Sequence, residues 1–383
     1  MLKKNPFIFL FMVAMLILSC KSNPELANDE RTNGVASDSS RSPDNFANDK
    51  RTNGVASNSS RSPDNTVNDL EQKIIESQDQ LDFETKYFLL LDLIAERPSF
   101  RAKDFHQLLG LTLERDYNGV NQLSNESILD AARHFEKALR EHPSSDSLHL
   151  IMAQYLFGLM TLSTELSTPY GDVQTMSDRG MESINNAIAY GADPAECYYL
   201  KGKMYRYQNN FLDAMEAFRE SVNSDPSFII AYEAGFNVSI ELGYPDQAKS
   251  WLAEGIERNP SSYELSSILA HQYASEQDYS RATDVMSTYL DEAVSIPKEA
   301  FFDLGYFFEK DNQRARAIEQ YNLAIAQDST FLDVYYRLGM MYNEDSRWND
   351  AYETFSELLK RLPLNHSYRE EIRKTLETIE REL

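Results

Sequence analysis

The chain has 383 residues, 42% of them hydrophobic, with 42 Phe and Tyr against 2 Trp and 27 Gly and Pro. That is enough apolar material for a sizeable core, and so few turn residues favour helix over an all-β chain. The 61 acidic residues outnumber 37 basic ones for a net charge of −24, a field that repels phosphate backbones and sets nucleic acid aside as a partner.

Residues 1–19 read as a secretory signal peptide. Lys3 and Lys4 precede an apolar run from Phe7 to Leu18, too short for a comfortable membrane span but suited to an export signal. The run ends Ile17-Leu18-Ser19-Cys20, which resembles the lipobox of bacterial lipoprotein signal peptides, although Leu18 stands where a small residue is more usual. Ser19 supplies the small residue at the scissile position, and the Cys20 thiol is the nucleophile that carries a thioether-linked diacylglycerol. The resemblance implies a chain anchored in a bacterial cell envelope through acyl chains on Cys20, two or three of which hold stably. Lys21 in place of the Asp that retains lipoproteins at the inner membrane favours the outer membrane. With Cys20 consumed, Cys197 is left alone, no disulfide staples the fold, and Cys197 reads as a small core residue.

Residues 20–68 hold the lipidated cysteine and a stretch rich in Ser, Asn, Asp, Gly and Pro that cannot bury enough surface to order itself. Within it, residues 27–46 are followed by a tandem copy, 47–66, differing at three positions. A coil of this length spans roughly 40 Å and serves as a disordered tether. Residues 69–194 then show helical patterning with interruptions. A pair over 69–100 ends at Pro98. Ala131, Phe135, Ala138 and Pro143 mark a helix behind an enlarged loop at Tyr117–Ser127, and Ile184 and Ala187 mark another behind an insertion near Ser167–Arg179.

From residue 195 a period emerges: Ala214, Ala248, Ala282, Ala317 and Ala351 are spaced 34, 34, 35 and 34 apart. Segment 195–228 places Tyr198, Gly202 and Tyr205 on one helix, Ala214 and Phe218 on the next, and Pro226 after it. Segment 332–365 repeats this with Tyr335, Leu338, Gly339, Tyr342, Ala351, Phe355 and Pro363. Both resemble the tetratricopeptide repeat. Segment 298–331 follows through Leu304, Gly305, Phe308, Ala317 and Tyr321. Segment 229–262 has Phe236 where a small residue is usual, and 263–297, the weakest, has Tyr289 at a normally small position. Gly202, Ala270, Gly305 and Gly339 let paired helices approach closely, while Phe211, Tyr279 and Trp348 fill the turns.

The resemblance implies an all-α, right-handed α-solenoid: degenerate repeat-like helix pairs over 69–194, five repeats over 195–365, and a capping helix over 366–383 that covers the last apolar side. It also implies a concave groove lined by first helices, where a protein or peptide partner sits. In the assigned register Tyr199 and Lys203, Glu233 and Asn237, Ser267 and His271, Phe302 and Tyr306, Tyr336 and Met340 point inward. Only Asn237 fits the Lys/Asn clamp by which some members grip a C-terminal carboxylate, so apolar side chains of an extended or helical segment are the expected cargo.

No Walker loop, HExxH, CxxC, GxSxG or Rossmann glycine pattern occurs, and His134, His142 and His149 lack a matching acid pair. No metal, cofactor or catalysis is expected. The expected function is a membrane-anchored scaffold that binds a protein in an envelope assembly or transport complex. The alternative is a ligand-binding accessory component of a transporter, its pocket or pore roofed by the inserted loops.

Overall fold

The structure, a computed structural model, describes residues 82–96, 123–162 and 171–383. The expected signal peptide, Cys20, the tether and parts of both expected loops lie outside the described residues. Within them there are 15 helices and no strand, and no helix is long and apolar enough to cross a membrane.

The first four helices are α1 (Phe83–Glu96), α2 (Asn125–Glu141), α3 (Asp146–Thr161) and α4 (Val173–Tyr190). Both expected loops are shortened by capping. Ser124 accepts the Ser127 amide at 3.2 Å, so α2 starts at Asn125 and residues 125–127 are helical. The Glu84 carboxylate fixes that start from α1, accepting the Ser124 amide and the Ser127 hydroxyl at 2.6 Å each. Asp172 accepts the Thr175 amide at 2.8 Å, and residues 173–179 become the opening turns of α4. Helix α3 is buried from Ser147 to Met160 because it is apolar all round and packs on α1, α2 and α4.

Five helix hairpins follow: α5 (Pro194–Tyr207) with α6 (Phe211–Ser224), α7 (Ile229–Glu241) with α8 (Pro245–Arg258), α9 (Tyr263–Ser275) with α10 (Tyr279–Glu292), α11 (Lys298–Lys310) with α12 (Arg314–Gln327), and α13 (Leu332–Glu344) with α14 (Trp348–Arg361). Helix α15 (Arg369–Ile379) closes the stack, burying Ile372, Leu376 and Ile379 against α14. The five periodic alanines are fully buried. Cys197 is buried too, and desolvation raises its thiol pKa, as for an inert core residue. Tyr289 is accommodated beside Tyr263, ring centroids 5.8 Å apart.

Each hairpin turns on one left-handed residue. Asn209, Gly243, Gln277, Asn312 and Ser346 have φ of 62, 79, 64, 59 and 57°. The following amide reaches back five residues, as in Tyr244 N–H to the Ser239 carbonyl at 2.8 Å and Asp278 N–H to the Tyr273 carbonyl at 2.9 Å. This is the Schellman closure, which satisfies carbonyls left open at a helix end.

In segment 229–262 the close-approach position is not Phe236. Gly235, one residue earlier, takes it, and the Trp251 ring lies across it. Both partners have moved one position relative to Ala248, so the contact survives in a shifted register. Successive first helices, α7 with α9 and α9 with α11, also touch directly. They form the inner side of the stack.

Candidate partner-binding groove

At the N-terminal end of this inner side, Tyr199 is 8% exposed. Its ring packs on Phe218 at 5.7 Å and edge-on to Phe228 at 5.6 Å, joining α5 to α6 and to the start of α7. Burial, with a smaller contribution from the Glu233 charge, pushes its hydroxyl up to about 12. Tyr199 is thus an inter-repeat packing ring, largely covered by its neighbours. The Lys203 ammonium lies 4.9 Å from the Phe157 ring centroid and 5.8 Å from that of Tyr199. Glu233 is exposed and Asn237 half-buried.

Between α9 and α11 a polar cluster gathers on Asp303, which is 7% exposed. Its Oδ2 accepts from the Tyr263 hydroxyl at 2.9 Å and the Ser267 hydroxyl at 3.0 Å, with His271 Nε2 at 3.4 Å. Tyr263, Ser267 and His271 recur every four residues along one helical stripe, which brings them to a single carboxylate. His271 also stands edge-on to Phe307 at 5.0 Å. Burial first and the Asp303 charge second raise the Tyr263 pKa.

The C-terminal end carries a cavity of mixed lining. Phe302, Leu332, Tyr336 and Met340 line a cavity of about 390 Å³, closed by Leu358 and Leu362 of the last hairpin and by Tyr368 and Ile372 of the cap. The Tyr336 ring stacks on Tyr368 at 5.7 Å and 23°, and its hydroxyl donates to Glu371 Oε1 at 3.1 Å. Burial, then Glu371, raises the Tyr336 pKa. Tyr306 stands beside the cavity, with the Arg337 guanidinium 4.6 Å from its ring centroid. Arg337 in turn donates to the Glu309 carboxylate at 3.3 Å. The lining is mixed, since Glu309, Asp333, Arg337, Glu344 and His366 share it with these apolar side chains, so it can meet both an apolar side chain and polar neighbours.

Two family models, each described as tetratricopeptide repeat, match residues 195–228 and 333–365. Those two segments are tetratricopeptide repeats. No curated protein sequence matches the chain. Similar solved structures include MamA from Desulfovibrio magneticus, at 17% identity over 44% of this chain and 96% of that one, TM-score 0.36. YrrB, described as a TPR protein with an unusual peptide-binding site, is 18% identical over 51% of this chain and 99% of its own, TM-score 0.39. Yeast Tom70 is 14% identical over 86% and 76%, TM-score 0.39.

The residues expected to point inward divide into separate places. Phe302, Tyr336 and Met340 meet at one cavity with Tyr306 beside them, whereas His271 belongs to the Asp303 cluster and Lys203 lies against Phe157. Sequence reasoning missed Asp303, Arg337 and Tyr368. Asp303 follows Phe302 directly, and Tyr263, Ser267 and His271 at four-residue spacing were a legible sign that something accepts from that stripe. Tyr368 falls within the expected cap, but its stacking on Tyr336 depends on how α15 folds back. Among the described residues no group of His, Cys, Asp and Glu is arranged to hold a metal ion.

Proposed function

We propose that this protein is a lipid-anchored scaffold of the bacterial cell envelope whose tetratricopeptide groove holds a segment of a partner protein at its C-terminal end. The observation that carries this reading is the convergence of Phe302, Tyr336 and Met340 on a cavity of about 390 Å³ on the inner side of the stack. Acylation of Cys20 would provide the anchor, and Lys21 favours the outer membrane as its site. Residues Lys203, Glu233, Asn237 and His271 would extend the contact along the groove as polar flanks, with Tyr306 and Tyr336 as the aromatic anchors. A photoreactive residue at position 340, with position 353 on the outward face as control, tests the groove in the native host. A discrete adduct at 340 and none at 353 is expected; no adduct at 340 in a folded protein refutes the site. Cys20→Ala abolishes detergent partitioning, and fatty-acid label persisting in that variant refutes the anchor.

A further inference from the structure

The cations around the C-terminal cavity are already engaged. Arg337 donates to both Glu309 oxygens at 3.3 and 3.4 Å. Arg314 lies 3.1 Å from Glu344 and 2.7 Å from Asp345, and donates to the Met341 carbonyl at 2.9 Å. The anions are less well matched. Exposed Asp333 at the rim makes no ion pair or side-chain hydrogen bond among the described residues, Glu344 and Asp345 share one guanidinium, and Glu371 is held by the Tyr336 hydroxyl and by no cation. Asp333 and Glu344 share the cavity lining with the apolar side chains of Phe302, Leu332, Met340 and Ile372, and Glu371 stands next to it through its bond from Tyr336. The net charge of −24 adds a long-range attraction for positive segments.

We infer that this pocket takes a Leu-, Met- or Phe-sized side chain from a partner segment whose neighbouring residues are Lys or Arg, the cations pairing with Asp333 and Glu371. This selectivity rests on the groove reading above and specifies its chemistry: apolar burial supplies affinity, while charge complementarity sets the choice of segment and its on-rate.

The test is fluorescence anisotropy on the full chain in detergent with three labelled peptides in a Gly/Ser background. One carries a leucine flanked by lysines, one the same leucine flanked by glutamates, and one the lysines around a glycine. The first is expected to bind at least tenfold tighter than either other, and added salt to weaken it. Asp333→Asn with Glu371→Gln should cut the lysine advantage below threefold with the thermal melt unchanged, and Met340→Trp, which fills the cavity, should weaken the leucine peptide at least tenfold. Equal or tighter binding of the glutamate peptide overturns the charge assignment, and equal binding of the glycine peptide overturns the pocket. If no peptide binds while the photoreactive residue at 340 still captures a partner, this inference fails and the groove reading stands; if neither occurs, both fail.

Discussion

The Tyr321 ring lies across Gly305, so that a Cβ built on the glycine would stand 2.7 Å from ring carbons Cδ1 and Cε1. Gly202 and Phe218, Gly235 and Trp251, Gly339 and Phe355 repeat the relationship at the same separation of sixteen residues, with approaches of 2.5, 2.4 and 2.8 Å. Alanine is the better helix former by about 1 kcal/mol, but here its methyl group must displace a packed ring. Gly305→Ala is expected to destabilise by about 1–3 kcal/mol in chemical denaturation. A second change, Tyr321→Leu, should recover part of that loss; a more stable single variant would mean the contact is not close.

Four hairpin turns place a residue other than glycine in the left-handed region, which costs roughly 1–2 kcal/mol for a side chain, while Gly243 adopts it freely. Gln277→Gly and Ser346→Gly are expected to stabilise by about 0.5–1 kcal/mol each, after allowing for the greater freedom of glycine in the unfolded chain. Gly243→Ala should destabilise. Differential scanning calorimetry reads all three, and a lowered melting temperature for both glycine variants would refute the turn assignment.

Ala317 and Ala351 are fully buried where the helices of a hairpin meet. Ala317→Glu or Ala351→Glu adds volume costing about 1–3 kcal/mol and an unpaired charge costing more. Since each hairpin is stabilised by its neighbours, the loss should spread through the C-terminal repeats. Hydrogen exchange locates it, and unchanged protection over 298–383 would contradict the packing.

The Lys298 ammonium, together with the Thr330 hydroxyl and amide, holds the Asp328 carboxyl well below the usual carboxylate range. An unfolded aspartate titrates near about 3.9, so the stabilisation is fully present above that pH and is lost as pH falls toward the folded value. The stability gap between the parent chain and Asp328→Asn should therefore be present at neutral pH and shrink in acid. Denaturant midpoints at both conditions check this; a gap that widens in acid would reverse the assignment.

Tyr306→Ala with Tyr336→Ala should weaken partner capture at least tenfold, because buried aromatic anchors commonly contribute more than about 1 kcal/mol each. Helicity by circular dichroism should hold. Tyr336→Phe keeps the ring on Tyr368 and removes only the bond to Glu371, so it should retain most of the capture. Full capture by the double variant would place the partner elsewhere.

The repeat was legible in sequence because close helix contact demands small residues at fixed intervals: the spacing of Ala214 to Ala351 is a direct imprint of geometry. The left-handed turn residues carry the same period, yet Asn209, Gln277, Asn312 and Ser346 share no side-chain type, since what recurs there is a backbone angle. Likewise Gly235 could be placed against Trp251, and Phe236 excused, only once the helix phase was fixed. Periodicity also suggests which positions face inward, but such a position can be covered by the next helix, as Phe228 covers Tyr199. Which rings stay open is decided by neighbours distant in the chain. Tyr368, Leu358 and Ile372 turn Phe302, Tyr336 and Met340 into the walls of a cavity because α15 folds back onto α14, and no local pattern in the sequence specifies that approach.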